Sequence, residues 1–298
     1  MYAITGVTGH VGGAAARDLL AKGEPVRAVV RDAAKSADWI RAGAEASVAD
    51  FGDRAALTEA FRDCRGAFVL LPTDPAAADV DAYHRRLADS IAEAVLDSGV
   101  PHVVMLSSIG AELAEGTGPI RWLHHMESRL RETGVLLTAI RSSHFQEKVE
   151  TVLSAALGAG IYPVFGASAD VPVPMVATRD IGKVVAESLM APAAASEIID
   201  LDGHRYSERQ VAEELAAVLG RPLTVVTIPQ PAWVGTMVEA GVPPQLAEEL
   251  AGLYDAEQRG ILQPRGDRQS TCTTELGETL RHLVKTTPYV GLPVGADR

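Results

Sequence analysis

Thr5-Gly6-Val7-Thr8-Gly9-His10-Val11-Gly12 decides how the rest of the chain is read. It follows a short apolar run, Tyr2-Ala3-Ile4, and leads into a segment, Val11 to Ala21, that puts Val11, Ala15 and Leu19 on one stripe of a helix. Each glycine has a physical task in such a strand-to-helix turn. Gly6 lets the chain turn tightly, Gly9 leaves room for a phosphate to approach the backbone, and Gly12 allows the helix to pack close to the strand. The helix N-terminus then offers free N–H groups and the positive end of its dipole to an anion. Gly6, Thr8, Gly9, His10, Val11 and Gly12 are therefore read as the pyrophosphate loop of a dinucleotide site.

Working outward, strand and helix patterns alternate through the first half. Pro25 to Val30 is a β-branched run, Ala34–Ala42 reads as helical, and Glu45–Val48 is a short strand. Ala67-Phe68-Val69-Leu70-Leu71 is wholly apolar, as expected of a strand covered by helices on both faces. A long amphipathic helix, Asp79 to Ser98, is closed by Gly99 and Pro101. His102–Leu106, Ile120–Glu132 and Leu136–Ile140 continue the alternation. Repeated βα units with right-handed crossovers give an α/β fold, a Rossmann-type doubly wound parallel sheet, with 3-2-1-4-5-6 as the expected strand order. Residues 1–150 are expected to form the dinucleotide-binding domain, with a helix over 176–190 returning to it. Residues 191–298 read as a small mixed region covering the cofactor crevice, with a capping box at Ser207–Gln210 and helices over Pro231–Ala240 and Pro243–Tyr254.

The remaining cofactor contacts are expected at the carboxyl ends of the strands. Arg31-Asp32 follows the second strand, where the residue that reads the adenosine ribose sits. Arginine there accommodates a 2′-phosphate and an acidic residue bonds a 2′-hydroxyl. Arg31, with Lys35 nearby, favours NADP(H), while Asp32 keeps NAD(H) as the lesser alternative. Asp50 and Phe51 end the third strand, where adenine could lie against the ring and bond near the carboxylate. Leu71 and Pro72 end the fourth, and Ser107 ends the fifth.

Composition narrows the function classes. The net charge of -12 excludes a nonspecific nucleic-acid binder. No apolar run approaches the length of a membrane helix, and no basic leader precedes the first strand, so a cytoplasmic location is expected. Cys64 and Cys272 have no metal-ligand spacing, no metal site is expected, and both read as buried free thiols. The tyrosine-to-lysine spacing of four that serves as the acid pair of ordinary short-chain reductases is absent: none of Tyr2, Tyr83, Tyr162, Tyr206, Tyr254 and Tyr289 has it. That leaves Ser107, His124 and His144 as candidates to orient an acceptor or donate a proton. Tyr83 and His84 read as packing or surface residues.

With these residues in place, the chain resembles the NmrA-like family of atypical short-chain dehydrogenase/reductases, and in particular its bacterial NADPH:quinone oxidoreductase-type members. The matching stretches are Ile4 to Gly12, Val30-Arg31-Asp32-Ala33-Ala34-Lys35, Ala49-Asp50-Phe51-Gly52-Asp53, Ser107-Ser108-Ile109-Gly110, Arg121-Trp122 with Glu127, and Ala177-Thr178-Arg179-Asp180-Ile181. The resemblance implies NADP(H) held by Gly6, Gly9, Gly12 and Arg31, and two kinds of activity. One is reduction of a quinone or related carbonyl-type small molecule. The other is non-catalytic sensing of NADP(H) through a regulatory protein partner. Reduction of one specialised metabolite is a third reading, and a homodimer is the default assembly. The chain departs from the family at Ser142, where Pro is common, and at Lys148, where Asn is common.

Overall fold

In the computed structural model, residues 1–286 are described; 287–298, the end of the region expected to cover the crevice, and with it Tyr289, lie outside the described residues. The first half reads β1 (Tyr2–Ile4), α1 (His10–Ala21), β2 (Val26–Val30), α2 (Ser36–Arg41), β3 (Glu45–Val48), α3 (Arg54–Phe61), β4 (Gly66–Val69), α4 (Val80–Ser98), β5 (His102–Ser108), α5 (Ile120–Glu132) and β6 (Leu136–Ser142). The second half adds β7 (His144–Phe145), α6 (Leu153–Ala159), β8 (Ile161–Phe165), β9 (Val173–Val176), α7 (Thr178–Met190), β10 (Glu197–Asp202), β11 (Arg205–Tyr206), α8 (Glu208–Leu219), β12 (Thr224–Ile228), α9 (Trp233–Glu239), α10 (Pro244–Gln258), β13 (Arg268–Thr271) and α11 (Leu276–Thr286).

Eight strands form one parallel sheet in the order β13-β10-β6-β5-β4-β1-β2-β3. Its last six positions, from β6 to β3, are the expected 3-2-1-4-5-6 order read from the other edge. The local signals are those that stop and start helices. Asp79 accepts from the Ala82 amide at 2.9 Å to start α4, and Gly99, at φ 66°, ends it in the left-handed conformation that glycine tolerates. The capping box at Ser207 and Gln210 is formed in full at the start of α8. The central strands are buried on both faces, which explains their unbroken apolar runs. Helix α7 lies directly on α1: a Cβ on Gly182 would come within 2.5 Å of the Ala14 Cβ, so a glycine sets the approach of the two helices.

The structure corrects three expectations. The helix expected over Ala34–Ala42 is split into a 3-10 turn, Ala33–Lys35, and the short α2. Helix α3 was not anticipated, although Asp53 caps it by accepting from Ala56 N at 3.0 Å and Leu57 and Phe61 repeat at helical spacing. The boundary at residue 191 also moves. Strands β10 and β13 belong to the main sheet, β10 pairing with β6 and β13 with β10. Outside the main sheet, the small sheets β11-β9-β7 and β12-β8 and helices α8 to α10 draw on residues from both sides of that boundary.

Candidate functional site

Because every strand of the main sheet runs the same way, the loops that follow β1 to β6 emerge along one edge. The order reverses between β1 and β4, and the crevice outside the carboxyl ends of these strands is where such folds bind ligands. Thr5 fixes its floor: its N–H and its hydroxyl both donate to the Phe68 carbonyl on β4, at 3.1 and 3.0 Å.

The glycines differ in what they face. Gly6 has φ +62° and requires glycine for its backbone. A Cβ on Gly12 would sit 2.5 Å from both the Thr5 and Gly6 carbonyl oxygens, so the helix can meet the strand only with glycine there. Gly9 has an ordinary φ of −96°, and the nearest atom to a Cβ there is the Gly6 oxygen at 3.4 Å. Nothing inside the fold demands glycine at this position. No side chain caps α1 and no acidic residue lies in its first turn, so the amides of His10, Val11 and Gly12 are left for an external acceptor. Thr8, Gly9 and His10 are exposed, whereas Val11 packs into the core. The His10 imidazole meets the Glu150 carboxylate at 3.1 Å, tying the start of α1 to the segment after β7.

At the end of β2 the two candidates separate. The Asp32 carboxylate accepts from Ala34 N at 2.9 Å and caps the 3-10 turn. Arg31 and Lys35 are exposed, and neither makes an ion pair or side-chain hydrogen bond among the described residues. Asp50 is exposed, with one oxygen taking the Gly52 amide at 2.8 Å. Phe51 is a correction: its ring is 7% exposed and packs in the core, so it offers no surface to a base. Leu71 and Pro72 are half-buried at the end of β4, and Leu70 lies against Gly6.

Ser107 also departs from the expected role. Its hydroxyl donates to Glu127 Oε1 at 2.6 Å and the residue is 3% exposed, so that donor is committed to the protein. Glu127 is the centre of a buried cluster. Arg141 donates to both of its oxygens, at 3.0 and 2.9 Å, and Arg131 donates a further bond at 2.7 Å. Burial pushes the Glu127 carboxyl up, but the hydrogen bonds and charge of Arg141, with those of Ser107 and Arg131, outweigh it and hold it below the usual carboxylate range. This cluster ties α5 to the ends of β5 and β6, and sequence reasoning had no means of seeing it.

The histidines are placed differently from one another. Nδ1 of His124 lies 2.8 Å from the Ala111 carbonyl, an obligate acceptor, so Nδ1 carries the proton and the ring is turned to the loop after β5. His125 meets Asp89 on α4. His144 stands just past β6, one quarter exposed, with Nε2 3.1 Å from Glu257 Oε1 on α10. That helix lies across the crevice. Gln245 in its first turn accepts from Val80 N and donates to the Ala78 carbonyl, both at 3.1 Å, and Glu249 takes two bonds from Arg121 on α5. One turn before Glu257, the ring of Tyr254 stacks on Phe165 at 5.3 Å and meets Trp233 edge-on. Burial, with the charges of Glu257 and Glu208, pushes the Tyr254 phenol up to about 12. Lys148 pairs with Glu208, which also accepts from the Tyr162 hydroxyl at 2.8 Å. A lysine and a tyrosine are thus joined through a glutamate in space, although no tyrosine–lysine spacing exists in sequence. Tyr162 is itself buried, and burial raises its phenol well above the usual range.

Among the described residues no cluster of His, Cys, Asp and Glu could hold a metal ion, both cysteines are buried and free, and no helix is long and apolar enough to cross a membrane. The family model described as the NmrA-like family matches residues 2–260, and the chain belongs to that family. It is 28% identical over 256 residues to the NAD(P)H azoreductase of Xenophilus azovorans, covering 85% of this chain and 86% of that one. It is 25% identical over 293 residues to quinone oxidoreductase 2 of Escherichia coli strain K12, covering 95% and 98%. Among solved structures, the triphenylmethane reductase of Citrobacter sp. superposes with a TM-score of 0.78 at 22% identity, over 96% of this chain and 99% of that one. The NADPH complex of the E. coli NADPH-dependent quinone oxidoreductase gives 0.72 at 22%, over 95% and 99%. At those identities the two structures establish a shared fold.

Proposed function

We propose that this member of the NmrA-like family is an NADPH-dependent reductase that transfers hydride to a quinone or a related carbonyl- or azo-type small molecule. The observation that carries the reading is the division of labour around α1 and β2. The helix N-terminus has no side-chain cap and begins at a glycine that no short packing contact demands, and Arg31 is unpaired while Asp32 has one oxygen engaged by the Ala34 amide. These residues fit a dinucleotide carrying a 2′-phosphate: the amides of His10 to Gly12 hold the pyrophosphate, and Arg31 with Lys35 meets the phosphate on the ribose. The relatives bearing NAD(P)H azoreductase and quinone oxidoreductase names support the same assignment.

When bound, the reduced nicotinamide supplies the hydride, and the protein contributes position and a proton. His144 takes the role of proton donor to the acceptor oxygen or nitrogen. It lies beyond the carboxyl end of β6, and its imidazole meets Glu257 of α10, which holds its orientation. Ser107 is assigned a structural part through Glu127, and His124 a part in fixing the loop after β5. The half-buried rings of Phe165 and Tyr254, backed by the buried Trp233, help exclude water and suit a flat acceptor. The test is to mix purified protein with NADPH and a panel of quinones, azo dyes and ketones and follow loss of the reduced nicotinamide absorbance. Acceptor-dependent oxidation is expected. Tight binding with no oxidation by any of them would refute the reductase and leave a sensor acting through a protein partner.

A further inference from the structure

The ring of Tyr254 is held on two sides, and its hydroxyl is left idle. On α10, Ala247, Leu250, Ala251 and Tyr254 recur at intervals of three and four residues, the spacing of one helix face, and that face packs on Trp233 and Met237 of α9. Phe165, at the end of β8, lies nearly parallel to the Tyr254 ring with centroids 5.3 Å apart, and Trp233 meets the same ring edge-on at 5.8 Å. Stacked and edge-to-face contacts of this kind fix the ring and with it the direction of the phenol.

A tyrosine packed this way ordinarily finds a partner for its hydroxyl. Tyr254 is half-buried, its hydroxyl makes no hydrogen bond among the described residues, and its oxygen remains open to solvent. The other polar groups of this corner are committed. Trp233 donates its ring N–H to the Ile228 carbonyl at 2.8 Å. Tyr162, three residues before Phe165, donates its hydroxyl to Glu208, as does the Lys148 ammonium. Glu257, three residues after Tyr254 and so on the same side of α10, holds His144 at 3.1 Å. With its phenol pushed up to about 12, Tyr254 keeps its proton at neutral pH and has a hydrogen bond to give.

Resting on the reductase reading above, we propose that Tyr254 binds the acceptor, its hydroxyl donating a hydrogen bond to a carbonyl oxygen or azo nitrogen of a flat molecule seated beside the His144–Glu257 pair. The bond draws electron density toward that atom as the hydride arrives, and it strengthens as charge develops there. The proton of the phenol is not consumed. One proton from His144 balances the hydride in converting a quinone to its hydroquinone, and His144 recovers it from solvent. The donor that no tyrosine–lysine spacing provides in the sequence is thereby supplied by α10.

The test is Tyr254→Phe in the full chain, which keeps the ring and its packing and removes only the hydroxyl. Equilibrium dialysis without NADPH, so without turnover, compares 1,4-naphthoquinone with naphthalene, the same rings lacking carbonyl oxygens. The substitution is expected to weaken the quinone by about threefold to tenfold, as for loss of one neutral hydrogen bond, and to leave naphthalene unchanged. In turnover it should raise KM for 1,4-naphthoquinone by a similar factor with NADPH affinity unaltered. The urea midpoint should not fall, because the hydroxyl has no partner within the fold. A lowered midpoint, quinone binding and KM equal to those of the unaltered chain, or an unaltered chain that binds the two molecules alike overturns the proposal. The reductase reading survives each of these results if the unaltered chain oxidises NADPH with a member of the acceptor panel. A chain that oxidises NADPH with none of them overturns both.

Discussion

Three glycines of one loop should fail in three different ways when changed to alanine. Gly12→Ala places a methyl 2.5 Å from two backbone carbonyl oxygens of the β1 turn, and neither can move without carrying β1 with it. Its cost belongs at or above the roughly 3 kcal/mol upper end of ordinary overpacking. Gly6→Ala must hold alanine at φ +62°, which costs about 1–2 kcal/mol, and its methyl meets only the movable end of Leu70. Gly9→Ala has an allowed φ and meets only the Gly6 oxygen at 3.4 Å, so mainly the weaker N-cap preference is lost, about 0.5–1 kcal/mol. The order for binding differs from the order for stability. The Gly9 methyl projects where the pyrophosphate must approach, so NADPH affinity should fall by about tenfold or more, the equivalent of one charge-assisted hydrogen bond, in a protein that is otherwise nearly as stable as the parent. Urea unfolding without ligand gives the first quantity and quenching of protein fluorescence by NADPH gives the second. If folded Gly9→Ala binds NADPH as well as the parent does, or if Gly12→Ala is no less stable than Gly9→Ala, the division between packing glycines and a ligand-facing glycine is wrong.

Other perturbations follow from the same geometry. Glu127→Ala leaves the buried Arg141 with Glu112 as its remaining carboxylate and is expected to cost about 3 kcal/mol in urea unfolding, the lower end for breaking a buried pair, against under about 1 kcal/mol for the exposed pair in Glu150→Gln. The Glu127 carboxyl is held below its usual range in the fold, so its contribution is fully present above the unfolded carboxyl value of about 4.3 and is lost as pH falls through the lower folded value; acid unfolding curves of the parent and of Glu127→Gln should converge in that window. Glu150→Gln should nonetheless speed NADPH release several-fold in stopped-flow displacement, because Glu150 braces His10 at the phosphate loop; an unchanged rate would remove that bracing role. His144→Ala should lower kcat for acceptor reduction by about a hundredfold with NADPH affinity intact, and Glu257→Gln should move the pH profile of kcat with little change in KM. A kcat unaffected by loss of His144 would return the proton to solvent.

How much of this was legible in the chain depends on whether the cause was local. Strands β1, β2, β4, β5 and β6 announce themselves because they are buried almost throughout, and α4 and α8 because Asp79, Gly99 and the Ser207–Gln210 box sit where helices begin and end. The glycine loop is equally local. Strand β13 carries the polar run Arg268-Gln269-Ser270-Thr271, which has no hydrophobic period; pairing with β10 at the sheet edge makes it a strand. Strand β10 hides Asp200 in a buried position, where the Gly266 amide reaches it at 2.5 Å, so its pattern reads as mixed. The site divides in the same way. Arg31 was readable from its place after β2, but that it makes no ion pair is visible only in the structure. Phe51 could not be told from a ligand-facing aromatic, because the twist of the β3–α3 connection decides which way the ring turns. Pairings such as Ser107 with Glu127, or His144 with Glu257, join residues from separate helices and strands and leave no trace in spacing.

The measurement closest to the centre of the account is equilibrium titration of the purified chain with NADPH and with NADH, repeated on Arg31→Ala. NADPH is expected to bind, and to bind more tightly than NADH, with the difference removed by the substitution and NADH affinity left as it was. Failure of both dinucleotides to bind would contradict the reading of the glycine loop, and equal binding of the two by the unaltered chain would contradict the reading of Arg31.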